Sequence, residues 1–291
     1  DLTSRHHENG GNGHDQSRKG CDHGEGCLSP RLVGGHVLHS VVLVALIMGR
    51  VCEPVRRLDP SGWRLASAAG MASFLVTGAN RGIGLEYCRQ LQARGEQVIA
   101  VCREASPDLE ALGVRIESGI ELTRVACITD LVQRLAGMPL DGVILNAGLL
   151  QSMGLEDLDV EAIRRQFEVN ALAPLLLARA LVDQMPYGAK LALMTSRMGS
   201  IDDNTSGGSY GYRMSKVALN IAGKSLAVDL APRGIAVAIL HPGLVRTRMI
   251  KFNPHGITPA ASVQGLLARI DALTLESSGT FWHANGEVLP W

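Results

Sequence analysis

Aromatic residues make up only 4% of this 291-residue chain, and the formal net charge is zero. Without a basic excess there is no electrostatic footprint for nucleic acid, and without an acidic block there is no solvating tail. No apolar run reaches the roughly 20 residues of a membrane-spanning helix. The six cysteines, Cys21, Cys27, Cys52, Cys88, Cys102 and Cys127, lack the regular spacing of a disulfide framework. They read as free thiols packed as small hydrophobes in a reducing cytoplasm. The Cys21-Asp-His-Gly-Glu-Gly-Cys27 cluster matches no standard zinc knuckle, so no metal site is expected. No repeat of twenty to fifty residues is visible, which excludes a solenoid. What the chain does have is glycine, 33 residues of it, and 46% hydrophobic content. That combination suits helices packed closely on strands.

The first seventy residues differ from the rest. Asp1 to Gly26 is polar and aperiodic and reads as disordered. Val37–Met48 is apolar but short, and it is interrupted by His39 and Ser40. Its length would suit a signal-peptide core, but the segment before it is long for an n-region. Membrane attachment through this run is kept as an alternative to a soluble protein. Residues 51–70 carry Pro54, Pro60 and Gly62 and read as linker. Met71 stands two residues before a strong strand pattern. The expectation is therefore an extension over 1–70, upstream of or accessory to the natural protein, and one folded domain over 71–291.

From Ser73 onward, short apolar β-type runs alternate with helical patterns. Strands are expected at 74–77, 98–101, 114–116, 142–145, 191–194, 235–240 and, more weakly, 280–283. Helices are expected at 83–93, 126–135, 160–185, 210–231 and 262–272. Unbroken apolar strands alternating with amphipathic helices imply a parallel sheet covered on both faces. The fold class is therefore α/β, a doubly wound Rossmann-type sheet of about seven strands.

The first strand runs into Thr77-Gly-Ala-Asn-Arg-Gly-Ile-Gly84, and a helix follows. Glycines at 78, 82 and 84 allow a tight turn and close approach of backbone to a pyrophosphate. The helix N-terminus adds free N–H groups and a positive dipole end. A site built for NAD usually carries an acid at the tip of the second strand. Here that strand ends in Cys102-Arg103, and Arg81 lies in the loop. Two guanidinium groups suit a 2′-phosphate, which Arg binds bidentately, so NADP(H) is the expected cofactor. Glu104 could compete by turning toward the ribose.

The fourth strand ends in Asn146-Ala147-Gly148, small residues that leave room for a ligand at the carboxyl edge of the sheet. The fifth ends in Thr195-Ser196. The next helix opens with Tyr210-Gly-Tyr212-Arg-Met-Ser-Lys216. Tyr212 and Lys216, at i and i+4, share one helix face. A phenol of pKa ~10 is a poor base at neutral pH, but a neighbouring ammonium favours its phenolate form. The pair reads as a proton donor and acceptor, with Ser196 a partner for the substrate oxygen. Tyr210 is the rival, but it has Met214 at i+4 where Tyr212 has Lys216. His241, before Pro242-Gly243 at a strand end, reads as structural.

TGANRGIG, NAG, the Ser196 strand end, YRMSK and His241-Pro-Gly-Leu-Val-Arg-Thr247 together resemble the short-chain dehydrogenase/reductase family over roughly 71–291. YRMSKVALN and the ending SGTFWHANGEVLPW are similar to the C-factor and sniffer-type carbonyl reductase branch. The resemblance implies Tyr212 as general acid/base and Lys216 as tuner of its pKa and ribose ligand. It implies Ser196 as substrate-oxygen partner and Asn170 as holder of a relay water. It implies cofactor contacts at Gly78, Asn80, Arg81, Gly82, Ile83, Gly84, Arg103, Asn146, Ala147, Gly148, Pro242, Gly243, Val245 and Thr247. Glu121 takes the place of the usual Asp near the adenine. The activity implied is hydride transfer between NADP(H) and a small carbonyl or alcohol, with no nucleic acid partner. C-factor relatives also imply a nucleotide-binding signalling role with little turnover as the alternative. In the family resembled, the helices that correspond to those bearing Asn170 and Tyr212 often build dimer interfaces, so a homodimer and a monomer both stay open. The segment from Thr247 to Ser262 is short and reads as a loop over an open site.

A chain beginning at Met71 is expected to keep its fold and its affinity for NADPH. Circular dichroism melting and a fluorescence titration check this, and loss of soluble, cofactor-binding protein on truncation would overturn it.

Overall fold

The computed structural model describes residues 71–291. The 1–70 extension, the Val37–Met48 run and the Cys21–Cys27 cluster lie outside the described residues. Seven strands form one sheet: β1 (Ser73–Thr77), β2 (Gln97–Val101), β3 (Arg115–Glu117), β4 (Gly142–Leu145), β5 (Lys190–Met194), β6 (Ala236–His241) and β7 (Phe281–His283). Their order is β3-β2-β1-β4-β5-β6-β7, and every neighbouring pair is parallel. Around it lie α1 (Gly82–Ala93), α2 (Pro107–Glu110), α3 (Val125–Arg134), α4 (Val160–Phe167), α5 (Ala173–Leu181), α6 (Tyr210–Leu230) and α7 (Pro259–Asp271).

Alternation along the strands divides the core into two layers. Phe74, Val76, Ala100, Ala238 and Leu240 pack with Tyr87, Cys88 and Leu91 of α1 and Val263, Leu266, Leu267 and Ile270 of α7. Leu75, Ile99, Val143, Leu191, Leu193 and Val237 pack with Leu131 of α3, Leu177 and Leu181 of α5, and Leu219 of α6. Full burial of each such side chain contributes about 1.5–3 kcal/mol. Strands this apolar on both faces have to be covered twice, as the sequence pattern requires. Lys190, at the start of β5, is also buried, and its Nζ donates to the carbonyls of Ile270 and Asp271 at the end of α7, 2.8 and 2.7 Å away.

From β1 the chain winds outward through β2 to β3, then returns to β4 on the other side of β1. At this reversal the connections after β1 and β4 leave in opposite directions, which opens a crevice at their carboxyl ends.

Three local features depart from the sequence pattern. The expected helix 160–185 is interrupted by a π-turn at Glu168–Leu172 and closes in a 3₁₀ turn at Val182–Gln184. Pro174 explains the first break: it has no N–H for the carbonyl of Asn170, and its ring crowds that carbonyl. The ladder widens by one residue, and Ala173 N–H bonds the Glu168 carbonyl. The short α2 was invisible to periodicity; Ser106 caps it, accepting from Leu109 N–H, and Pro107 starts it. The third strand lies one residue later than expected. The Thr247–Ser262 segment holds a single 3₁₀ turn, Arg248–Ile250, before α7 begins. Among the described residues no helix is long and apolar enough to cross a membrane.

Candidate active site

The Gly-rich loop closes tightly on the end of β4. Thr77 Oγ1 accepts the backbone N–H of Asn146 at 2.9 Å and of Ala147 at 3.1 Å. The Asn146 amide in turn donates to the Thr77 carbonyl at 2.9 Å. Gly78 has a φ of +64°, and a Cβ there would stand 2.9 Å from the Ala147 Cα. At Gly84 a Cβ would fall 2.2 Å from the Gly78 carbonyl oxygen. Only glycine permits this fold-back, which leaves α1 opening onto the crevice with Arg81 as its N-cap. Ser106 adds a brace, donating to the Asn80 carbonyl at 2.7 Å.

A cleft of about 1450 Å³ runs from this loop to Tyr212 and Lys216. Its wall includes Gly78, Asn80, Arg81, Gly82, Ile83, Arg103, Glu121, Asn146, Ala147, Gly148, Tyr212, Lys216, Pro242 and Thr247. Gly84, Asn170, Ser196, Gly243 and Val245 are not part of that wall. Val245 is buried and bridges Ile257, which holds the segment after β6. Tyr210 is half-exposed and not on the wall.

At the chemical end, Tyr212 is buried, and Ser196 is the side chain that favours its charged form. Ser196 also accepts from Met198 N–H at 3.2 Å. Lys216 Nζ lies 5.7 Å from the Tyr212 ring centre and donates to the Met194 carbonyl at 2.8 Å. The expected lowering of the Tyr212 pKa by Lys216 is opposed by the burial of both groups. Burial pushes Tyr212 up to about 12, with the Ser196 hydrogen bond pulling the other way. Burial also pushes Lys216 down to about 7. The physical reason is shared: both groups are desolvated, and the ammonium is turned toward a carbonyl.

Asn170 sits in the π-turn and is fully buried. Its Oδ1 accepts Leu149 N–H at 2.7 Å, and its Nδ2 donates to the Leu149 carbonyl at 2.7 Å and to Ser215 Oγ at 3.0 Å. The side-chain amide is thus committed. Pro174, four residues on, has no N–H to offer the Asn170 backbone carbonyl.

Past the tip of β2, Arg103 Nη1 pairs with Glu121 Oε2 at 3.5 Å, so two residues expected to act separately stand together. Arginines and Lys216 outnumber glutamates around the cleft, although the chain as a whole is neutral. Arg81, Arg165 and Arg248 have no ion pair among the described residues.

The supporting network was not found from sequence. Thr195 donates to Asn220 Oδ1 at 2.6 Å, Asn220 Nδ2 donates to the Gly199 carbonyl at 3.0 Å, and Ser215 donates to the Tyr212 carbonyl at 2.7 Å. No motif marks them; only their helical spacing from Tyr212 and Lys216 could have. His241 is held neutral: burial first, then His283 and Arg197, push it down to about 3, and its ring meets His283 edge-on at 4.9 Å. Cys88 and Cys102 are buried free thiols, and Cys127 is partly buried.

Residues 72–256 match the family model described as short chain dehydrogenase. The 1-hydroxy-2-glutathionyl-2-methyl-3-butene dehydrogenase of Rhodococcus sp. (strain AD45) is 43% identical over 226 residues, which span 76% of this chain and all of that protein. The C-signal protein of Myxococcus xanthus is 44% identical over 157 residues, 53% of this chain and 93% of the relative. Among solved structures, the NADPH-bound carbonyl reductase from chicken fatty liver superposes with a TM-score of 0.68 at 29% identity, covering 77% of this chain and all of that one. The carbonyl reductase Sniffer of D. melanogaster gives 0.70 at 29%, covering 76% of this chain and all of that one. The crevice at the β1–β4 reversal, the Tyr212–Lys216 helix beside it and the length of these matches lead to one assignment: the chain belongs to the short-chain dehydrogenase family.

Proposed function

We propose that residues 71–291 are the catalytic unit of an NADP(H)-dependent oxidoreductase acting on a small carbonyl or alcohol. The observation that carries this reading is the single cleft joining the Gly-rich loop to Tyr212 and Lys216. The glycine cradle and the cationic wall fit a dinucleotide bearing an extra phosphate. Two structural neighbours that carry NADPH or NADP support the cofactor, and the Rhodococcus relative, named for a hydroxy compound, supports the substrate class. The Ser196, Tyr212, Lys216 and Asn170 set favours turnover over a sensing role.

The cofactor supplies the hydride, and the protein orients the reactants and supplies the proton. Tyr212 gives its hydroxyl proton to the carbonyl oxygen, which Ser196 also engages. Lys216 lies close to Gly148 and Tyr212, where an ammonium can bond a ribose and favour the phenolate left behind. The Asn170 carbonyl, deprived of its helical donor, accepts from a relay water that returns the proton. Arg81 and Arg103 would hold a 2′-phosphate, and Glu121 would stand on the adenine side.

Tyr212→Phe should lower turnover by about 10²–10⁴-fold, the span of a general acid–base group, and leave NADPH affinity intact. Tyr210→Phe should be nearly silent. Steady-state NADPH oxidation over a panel of aldehydes and ketones, beside an NADPH titration, reads both. Near-parental turnover in Tyr212→Phe would move the acid elsewhere.

Arg103→Asp should narrow or reverse the preference for NADPH over NADH, and equal affinities in the parent would remove the charge argument.

The depressed Lys216 gives a signed pH effect. In the free protein it loses its proton near pH 7, and an anionic cofactor raises that pKa. The Lys216 contribution to NADPH affinity should therefore be flat below about pH 7 and weaken as pH rises through it, with proton uptake on binding. Calorimetry at pH 8 in two buffers of different ionisation enthalpy measures the uptake. Lys216→Met should abolish it, and equal enthalpies in the parent would refute it.

A further inference from the structure

Beyond the NAG turn, residues 149–153 pass along the cleft with no helix or strand of their own. Leu149 and Leu150 line the same wall as Tyr212. The segment is tied on both sides. Asn170 grips the N–H and carbonyl of Leu149. Gln166 Oε1, four residues earlier, accepts Gln151 N–H at 2.8 Å. At the far end the Met153 carbonyl accepts Ser209 N–H at 2.8 Å, and the Ser152 and Ser209 hydroxyls lie 2.9 Å apart. Ser209 is held at φ +49° immediately before α6, three residues ahead of Tyr212.

Gln166 stands out in this set. It is fully buried, and its Nε2 has no partner among the described residues. A buried amide donor without a partner is costly, and an apolar side chain of similar length would fill the space without that cost. The amide cannot turn over, because Gln151 N–H needs its oxygen. The opposing helix also makes room for it: a Cβ at Gly211, next to Tyr212, would stand 2.6 Å from Gln166 Nε2. A polar group kept at such a cost, in space cleared by a glycine, is there for the segment it holds.

We propose that Gln166 is a positioning residue that fixes the 149–153 strap and so sets which substrates fit between Leu149, Leu150 and Tyr212. This rests on the reductase reading above. Gln166 touches neither substrate nor cofactor; it acts through the Gln151 backbone.

Gln166→Met keeps the side-chain length and removes both amide functions. Hydrogen exchange should speed up in 149–153 and stay unchanged in the middle of α6. For one lost backbone hydrogen bond, the ratio of kcat/KM for a bulky aryl ketone to that for a small aldehyde should move by about fivefold, mainly in KM. NADPH affinity should not change. Gly211→Ala pushes the same amide from the opposite side and should move the ratio as well, and it is read alone if Gln166→Met does not fold. A loss by one common factor for every substrate is what a merely structural role gives, and it would overturn the proposal. Unchanged exchange in 149–153 would overturn it too. If the parent reduces nothing on the panel, the reductase reading falls by itself, and exchange still decides whether Gln166 holds the strap.

Discussion

The knot between Thr77 and Asn146 is the constraint on which the site depends. One hydroxyl accepts two backbone N–H groups from the next strand, and one amide returns a bond to the first. Without it the ends of β1 and β4 would part, as their connections already do. With it they stay joined while the chain beyond them diverges, and the crevice keeps a rigid floor. The glycine loop is then pressed against Ala147, and the small residues of the NAG turn follow from that contact as much as from any ligand.

At the other end of the cleft the determining quantity is dehydration. Tyr212 and Lys216 are both driven toward their neutral forms by burial, and each has one polar neighbour that partly compensates. Under the proposed function an anionic cofactor would favour the charged lysine and so oppose that dehydration.

The strands and the order of motifs were legible in the sequence because they depend on local composition. Val98–Val101 or Leu191–Met194 can hardly be anything but buried strands, and the loop from Thr77 to Gly84 declares its own turn. Tyr212 could be chosen over Tyr210 by a spacing of four. What was not legible depends on what lies opposite in space. Asn170 reads as a helix residue offering its side chain, yet that side chain is spent on Leu149, and it is Pro174 that alters the role of its carbonyl. The Arg103–Glu121 pair joins residues eighteen apart whose charges were weighed singly. Burial of the whole Tyr212 helix face, which opposes the expected lowering of its pKa, has no signature in a seven-residue motif.

The π-turn has a consequence for the phase of its helix. Steps of four residues drift by about 40° each around an ideal α-helix, so a stripe written that way soon winds off its face. Ala162, Gln166, Asn170, Pro174 and Ala178 follow that four-residue step, and all are buried. The wider turn takes back most of the accumulated rotation and keeps them in one line. A single stripe thus runs from the strap beside the cleft to the middle of the core. Deleting one residue there would turn Leu177 and Leu181 away from the sheet or Gln166 away from the strap. The irregularity is therefore locked in from both ends, by packing at one and by the site at the other.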